Sequence, residues 1–167
     1  MKTLALFLAG IAFSAVAAAD PVHLSLWITE PIGATNGYQC NLDASPVSVR
    51  GLPSVAPTLT EQDVTGWSAG NARWTLNPAR FSSADVWDKL QDHCFVLAID
   101  GKRVSSGIVL SAHSARLIGF ATLSVYKQGN ALNLQLNSGN RGSQSRLIHV
   151  EELDAVLGKR TQTGAKY

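Results

Sequence analysis

The feature that most constrains the fold is a short apolar run that ends in a tight turn. Residues 95–99 read Phe-Val-Leu-Ala-Ile, and such a run is typical of a strand that is covered on both faces. Asp100 and Gly101 follow at once, and this pair favours a two-residue β-hairpin turn. The returning strand is predicted over 102–110, where Gly107 indicates a bulge or kink. The centre of the fold is therefore predicted to be an antiparallel hairpin.

Three further segments show the period-two alternation of strands with one buried face. Apolar residues alternate with His, Ser, Trp and Thr over 22–29. The same pattern occurs over 121–126 and 132–137, and the Gly-Asn pair at 129–130 predicts a second hairpin between them. The polar positions of that hairpin are Thr122, Ser124, Tyr126, Asn133, Gln135 and Asn137. A shorter strand is predicted over 72–76.

Helices are predicted beside these strands. Residues 81–94 have Ser82 as a suitable N-cap and place Val, Trp, Leu and Cys on one face. A terminal amphipathic helix is predicted over 150–157 and stopped by Gly158. Residues 60–63 have the Thr and Asp spacing of a helix start and predict one or two turns. The order of elements favours one α+β domain, with an antiparallel-rich mixed sheet and one or two helices packed on one face.

The first 19 residues have the form of an export signal. Lys2 gives a positive start, residues 4–16 form an apolar run too short to span a bilayer, and three alanines supply a cleavage site. We therefore expect a periplasmic or secreted chain without stable membrane insertion after processing. The expected organisation is a signal peptide (1–19), an N-terminal strand with a disulfide-tethered loop (20–58), the α+β core of the same domain (59–158) and a flexible tail (159–167).

Composition excludes some classes of partner. The formal net charge is only +2 over 167 residues. Nucleic acid or an anionic membrane surface would require a concentrated basic face, so neither is expected as a partner.

Two cysteines, Cys40 and Cys94, lie beyond the export signal. An oxidising compartment and an even number of cysteines favour a disulfide between them. The chain-entropy model gives such a long loop about 4 kcal/mol of stabilisation. The alternative is two free thiols, of which Cys94 beside His93 could be a nucleophile.

Residues 59–123 resemble part of a known protein family. Five segments carry the resemblance. The first two are Leu-Thr-Glu-Gln-Asp-Val at 59–64 and Ala-Arg-Trp-Thr-Leu at 72–76, and the other three are residues 81–90, 95–104 and 114–120. The Asp-Gly turn lies within 95–104. The order of these segments is similar to the head part of the first periplasmic domain of SecD, a membrane subunit of the bacterial protein-export machinery. The resemblance implies a small α+β head that handles emerging unfolded protein. It implies no catalytic residue, and this chain departs from SecD in its cysteine pair and its lack of membrane-spanning segments.

Catalytic patterns are few. The four histidines never have the spacing of a zinc protease, although a metal site assembled from distant positions remains open. Ser105 and Ser106 with His113 form the nearest serine–histidine cluster but lack the flanking glycines of a nucleophile elbow, and solvent-facing strand serines are the alternative. Asp85, Asp88 and Asp92 fit a charged solvent face as well as a cation site. No cofactor or metal is predicted.

Five residues are candidate contacts for a partner. Trp67 lies in a glycine-flanked loop, and Trp27 lies on the polar side of the first strand. Exposed rings at these positions would stack on sugar or anchor a partner, and a covering helix over Trp27 is the alternative. Arg141, Ser143 and Arg146 form a polar, glycine-rich segment suited to an anion or a partner, or to a solvated connection.

These patterns favour a non-enzymatic exported module that contacts a protein or an extended peptide in the cell envelope. A sheet edge or face can accept such a ligand. The alternative is a small hydrolase or carbohydrate-active enzyme whose site is assembled from distant residues.

Overall fold

The computed structural model describes residues 23–31, 40, 52–81, 89–139 and 147–163. Eight strands lie in these described segments: β1 (Leu24–Pro31), β2 (Leu59–Thr60), β3 (Val64–Ser68), β4 (Arg73–Leu76), β5 (His93–Ile99), β6 (Lys102–Ser111), β7 (Thr122–Gln128) and β8 (Ala131–Asn137). The same segments contain helix α1 (Val150–Thr163) and two 3₁₀ turns, Glu61–Asp63 and Ala69–Asn71. None of the helices described there has the length and apolar character needed to cross a membrane.

The strands form a mixed sheet that curls almost into a barrel. Their order is β2-β1-β5-β6-β7-β8-β4-β3, and only β6 and β7 are parallel neighbours. β2 and β3 lie at opposite ends of this order, yet only Glu61–Asp63 separate them along the chain. Because so few residues span at most about 14 Å, the two edges of the sheet must lie close together. The sheet is therefore nearly closed.

Asp63 links the corner formed by Glu61–Asp63 to the end of β4. Asp63 is 2% exposed, and its carboxylate accepts the backbone N–H of Thr60 at 2.9 Å and pairs with the guanidinium of Arg80. Its carbonyl oxygen accepts the N–H of Asn77, directly after β4, at 2.8 Å. A buried carboxylate needs such donors to offset its loss of hydration. The predicted helix start is confirmed as a single 3₁₀ turn with a capping box.

Glu61 fixes the same corner to the start of β1. Its carboxylate accepts the backbone N–H of Leu24 at 3.0 Å, and its other oxygen lies 3.1 Å from Nδ1 of His23. Burial raises the pKa of Glu61. The hydrogen bonds that its carboxylate accepts from His23 and from backbone N–H groups, together with the nearby His23 charge, lower the pKa by more than burial raises it. The pKa is therefore lowered from 4.5.

The inner face of the barrel forms the main apolar core. Trp74 and Phe95 are the largest of its fully buried side chains. Leu153, Val156 and Leu157 of α1 belong to the same cluster, and α1 packs against β3. Burying each such side chain contributes about 1.5–3 kcal/mol. The helix therefore completes the core of the curled sheet.

The outer face of β1, β5 and β6 carries two smaller apolar clusters, which other parts of the chain cover. Trp27 is 7% exposed and packs with Val96, Ala98 and Leu52, and its indole N–H donates to the carbonyl of Val55 at 2.8 Å. Nearby, Cys40 and Cys94 form the predicted disulfide, with their Cα atoms 5.1 Å apart, against Ile108 and Leu110. β5 is thus covered on both faces, as its continuous apolar run predicted.

Most of the predicted elements are confirmed. The two hairpins, the first strand and the strand over 72–76 correspond to β5–β6, β7–β8, β1 and β4. The α+β class and the mixed, mostly antiparallel sheet are also confirmed, although the sheet is more barrel-like than the predicted layer with helices on one face.

The predicted C-terminal ends of two helices, over 81–94 and 150–157, were wrong. Residues 82–88 lie outside the described residues, but the predicted helix cannot reach Cys94, which lies in β5. Asp92 has a φ of 69°, and this left-handed conformation interrupts a helix. At the other end of the chain, α1 continues through Gly158 to Thr163, so Gly158 does not stop it.

Gly107 lies where the backbones of two strands approach closely, and not at the predicted bulge. The irregularity in the β5–β6 pairing lies between Leu97 and Ala98, opposite residues 103–105. A Cβ atom at Gly107 would lie 1.8 Å from the carbonyl oxygen of Ala121, at the start of the parallel β6–β7 pairing. Glycine is therefore required because the two backbones meet there.

Replacing Gly107 by alanine is expected to lower the free energy of unfolding by about 3 kcal/mol, since the methyl group overlaps backbone that cannot yield. Urea denaturation followed by circular dichroism measures the change. Gly70→Ala is the control, because a Cβ there meets no atom of the described residues within 4 Å, and it should alter stability by less than about 0.5 kcal/mol. Equal effects of the two substitutions would contradict the assignment.

Glu61 is expected to stabilise the fold in a pH-dependent manner. Because its pKa is lower in the folded than in the unfolded chain, its contribution is fully present above 4.5 and is lost as the pH falls through the folded value. Unfolding free energies of the wild type and Glu61→Gln should therefore differ at neutral pH and converge in acid. A difference that stays constant down to the acid limit would show that Glu61 does not titrate in this way.

Candidate functional site

The outer face of β7, β8 and β4 is polar, in contrast to the apolar outer face of β5. Thr122 lies opposite Asn137, and Ser124 lies opposite Gln135. Leu123 and Val125 point to the core between them, so the alternation of the strand places the polar side chains outside. Thr122 and Asn137 are nevertheless 2% and 8% exposed. This face is therefore polar and largely buried.

A cleft of about 450 Å³ lies on this face, and we call it the polar cleft. It is bounded by the end of β6, by β7 and β8, and by the turns at residues 70–71 and 112–114. Its polar side chains are Asn71, Ser111, Ser114, Thr122, Ser124, Tyr126, Gln135 and Asn137. A volume of this size falls in the range of sites that bind small molecules or short peptide segments.

Hydrogen bonds fix several of these side chains. The hydroxyl of Tyr126 donates to Oε1 of Gln135 at 2.5 Å, and Nε2 of Gln135 donates to the carbonyl of Asn71 at 2.6 Å. Nδ2 of Asn137 donates to the hydroxyl of Ser124 at 3.3 Å. A network of this kind holds its members in defined rotamers, so the lining of the polar cleft is preorganised.

Arg73 lies beside the polar cleft. It is opposite Gln135 in the β4–β8 pairing, and its guanidinium carbon is 4.8 Å from the ring centroid of Tyr126. Its Nε is buried and has no hydrogen-bond partner among the described residues, and the same is true of Oδ1 of Asn71. Buried polar atoms of this kind are uncommon in folded proteins, and Nε1 of Trp74 in the main core is a third example among the described residues.

The side chains that line the polar cleft carry hydroxyl, amide and apolar groups. Among the described residues that line it, none has a carboxylate, an imidazole or a thiol. No group of three or more His, Cys, Asp or Glu side chains within the described segments is placed to hold a metal ion. Hydroxyl and amide groups both donate and accept hydrogen bonds, and they therefore suit an uncharged polar ligand.

The two tryptophans predicted as partner contacts lie away from the polar cleft. Trp27 is buried beneath residues 52–55 and offers no open ring, and an extended segment covers it rather than a helix. Trp67 is half-buried against the main core, and its indole N–H donates to Oδ1 of Asp154 at 2.6 Å. In this structure Trp67 thus joins β3 to α1.

Arg141, Ser143 and Arg146 lie outside the described residues and stay predicted partner contacts. Leu147, which follows this segment, pairs with Asn137 in an isolated β-bridge and lines the polar cleft.

The predicted catalytic candidates do not converge in the described structure. Ser105 and Ser106 are buried in β6, and His113 lies beyond the end of that strand. An extended strand rises about 3.3 Å per residue, so about 17 Å separates Ser106 from Ser111 at the end of the strand, and His113 follows two residues later. Asp92 pairs with Arg116, and Asp85 and Asp88 are outside the described residues.

Sequence reasoning recognised the lining residues as polar strand positions but not as a site. The signal was their chemistry: the six polar positions of the second hairpin are hydroxyls and amides, with no Lys, Arg, Asp or Glu among them. A freely solvated strand face usually includes charged residues. Uncharged polar residues in that pattern are better explained by burial against another part of the chain or a ligand.

The hydrogen bonds of Gln135 are expected to stabilise the fold measurably. Gln135→Leu preserves the size of the side chain but leaves the Tyr126 hydroxyl and the Asn71 carbonyl without this partner, which should cost about 1–3 kcal/mol. Thermal and urea denaturation report the loss. Gln128→Leu, at the exposed end of β7, should change stability by less than about 0.5 kcal/mol. Similar losses in both variants would contradict a special role for Gln135.

Comparisons with known proteins give no independent assignment. No family model, no curated protein and no solved structure matches this chain. The resemblance of residues 59–123 to the SecD head stays a prediction, because none of these comparisons bears on it. Function must therefore be argued from the geometry and chemistry of the site.

Proposed function

We propose that this chain is an exported, non-catalytic binding module of the cell envelope that holds an extended peptide segment of a partner protein in the polar cleft. The observation that carries the proposal is the lining of the cleft, which consists of preorganised hydroxyl and amide groups. General acid–base catalysis near neutral pH is most often carried by a His or carboxylate side chain beside the reacting atoms, and the described lining has neither. This lining favours binding over the hydrolase alternative.

A peptide is the neutral ligand that these groups match best. The side-chain amides of Asn71, Gln135 and Asn137 contain the same donor and acceptor as a peptide group, and they can pair with a main chain in either direction. The hydroxyls of Ser111 and Ser124 add groups that donate or accept. The resemblance to the SecD head, a domain proposed to handle unfolded protein, supports the same class of ligand.

An exported location supports this proposal. The Cys40–Cys94 disulfide is the kind of bond that persists in oxidising compartments, and the first 19 residues have the pattern of an export signal. The periplasm or the extracellular space is the proposed location. A partner protein of the cell envelope would be met there.

Selection from a phage-displayed library of random dodecapeptides tests the proposal. Peptides enriched on the purified, oxidised protein are synthesised, labelled and titrated by fluorescence anisotropy. Thr122→Val combined with Ser124→Ala removes two hydroxyls from the polar cleft with little change in volume and should weaken binding about tenfold.

Lys127→Ala is the matched control, because Lys127 is exposed on the same strand and does not line the polar cleft. It should leave the affinity unchanged. Failure of the wild type to enrich any peptide would overturn the proposal. So would enriched peptides that bind the hydroxyl-free variant as tightly as the wild type, provided that thermal unfolding shows both proteins to be folded.

A further inference from the structure

We infer that Arg73 gives the polar cleft a preference for peptides with a free carboxylate, which its guanidinium binds at the rim. This inference rests on the proposed function and names the chemical class of the ligand. The carboxylate is that of a chain end or of an Asp or Glu side chain, and the experiment below separates the two.

The charge of Arg73 is unbalanced in the described structure. Arg80 and Arg116 each pair with a carboxylate, of Asp63 and Asp92 respectively. No ion pair or hydrogen bond joins the Arg73 guanidinium to any described residue, although Arg73 is half-buried and its Nε is fully covered. A partly desolvated cation without a counter-charge is costly, so a carboxylate supplied by a ligand would be bound favourably.

The position of the guanidinium suits a carboxylate. It lies over the ring of Tyr126, with 4.8 Å between its carbon and the ring centroid. Stacking against an aromatic ring uses the face of a guanidinium, and because Nε is covered, the two terminal nitrogens Nη1 and Nη2 are the donors left for a ligand. Those donors match the two oxygens of a carboxylate in a bidentate pair.

The ring that supports Arg73 is itself fixed to the polar cleft. Tyr126 donates its hydroxyl to Gln135, and Gln135 donates to the carbonyl of Asn71. Arg73 is also opposite Gln135 across the β4–β8 pair. A peptide lying along the amides of the polar cleft would therefore place an acidic group within reach of a preorganised cation, and binding would lose little side-chain entropy.

Two peptide pools test this inference. Both contain random octapeptides, but one ends in a free carboxylate and the other in a carboxamide, and each is made with and without Asp and Glu. The pools are passed over immobilised, oxidised protein, and retained peptides are counted by mass spectrometry. The wild type should retain carboxylate-bearing peptides about tenfold more than fully neutral ones, as expected for a charge-assisted pair.

Arg73→Gln keeps much of the length and packing of the side chain and should abolish this preference while still retaining neutral peptides. Lys127→Gln removes one positive charge from an exposed position of β7 and should leave the preference intact. A preference for free chain ends in the acid-free pools identifies the terminal carboxylate, and a preference for Asp or Glu in the carboxamide pools identifies a side chain. Either supports the inference.

Equal retention of acidic and neutral peptides by the wild type would overturn the inference and leave the proposed function standing. A preference that survives in a folded Arg73→Gln protein would also overturn it. If no pool is retained, both the inference and the proposed function fail. Should Arg73→Gln not fold, the wild-type preference is measured against NaCl, because a guanidinium–carboxylate pair weakens with ionic strength; a preference that salt does not reduce would count against Arg73.

Discussion

The architecture depends on one short corner of the chain, Glu61–Asp63. This turn joins β2 to β3, the two ends of the strand order, and it is bonded to β1 through Glu61 and to the end of β4 through Asp63. A flat sheet of this order would hold its two edge strands several strand widths apart, since neighbours are about 4.8 Å apart. The covalent link and its two carboxylates therefore impose the curl. Closure gives the inner face a core.

The curl divides the outer surface into two regions of different chemistry. Over β1 and β5 the outer apolar residues Trp27, Val96 and Ala98 are covered by residues 52–55, and Cys40 covers Ile108 and Leu110 of β6. Over β7, β8 and β4 the outer residues are hydroxyls, amides, an aromatic ring and one arginine, and they form the polar cleft and its rim. The same alternation of strand residues thus produces a second apolar layer on one side and the polar cleft on the other.

Much of this arrangement follows from local patterns, and the rest depends on contacts between distant residues. Alternation and turn residues are local signals, so the strands around Asp100 and around Gly129 were predictable, as was the buried strand β5. The placement of Arg73 beside Gln135 could not be predicted, because no local signal indicates that β4 pairs with β8. The curl was equally hidden, since it depends on how Asp63 and Glu61 bond to strands far away. Local signals likewise failed at Asp92, whose left-handed backbone interrupts a sequence that favours helix.

The pairing of β4 with β8 determines how the polar cleft is assembled during folding. Gln135 meets Asn71 across 64 residues of chain, and Thr75 meets Asn133 across 58. Loop closure over such distances costs entropy before any contact compensates for it, so topologies of this type fold slowly. The residues that line the polar cleft are spread from Gly70 to Leu147, so its walls come together only when these distant segments have paired. Under the proposed function, a ligand that binds only the assembled cleft would draw unfolded chains toward the native state by mass action, and its supply would set how much folded protein accumulates.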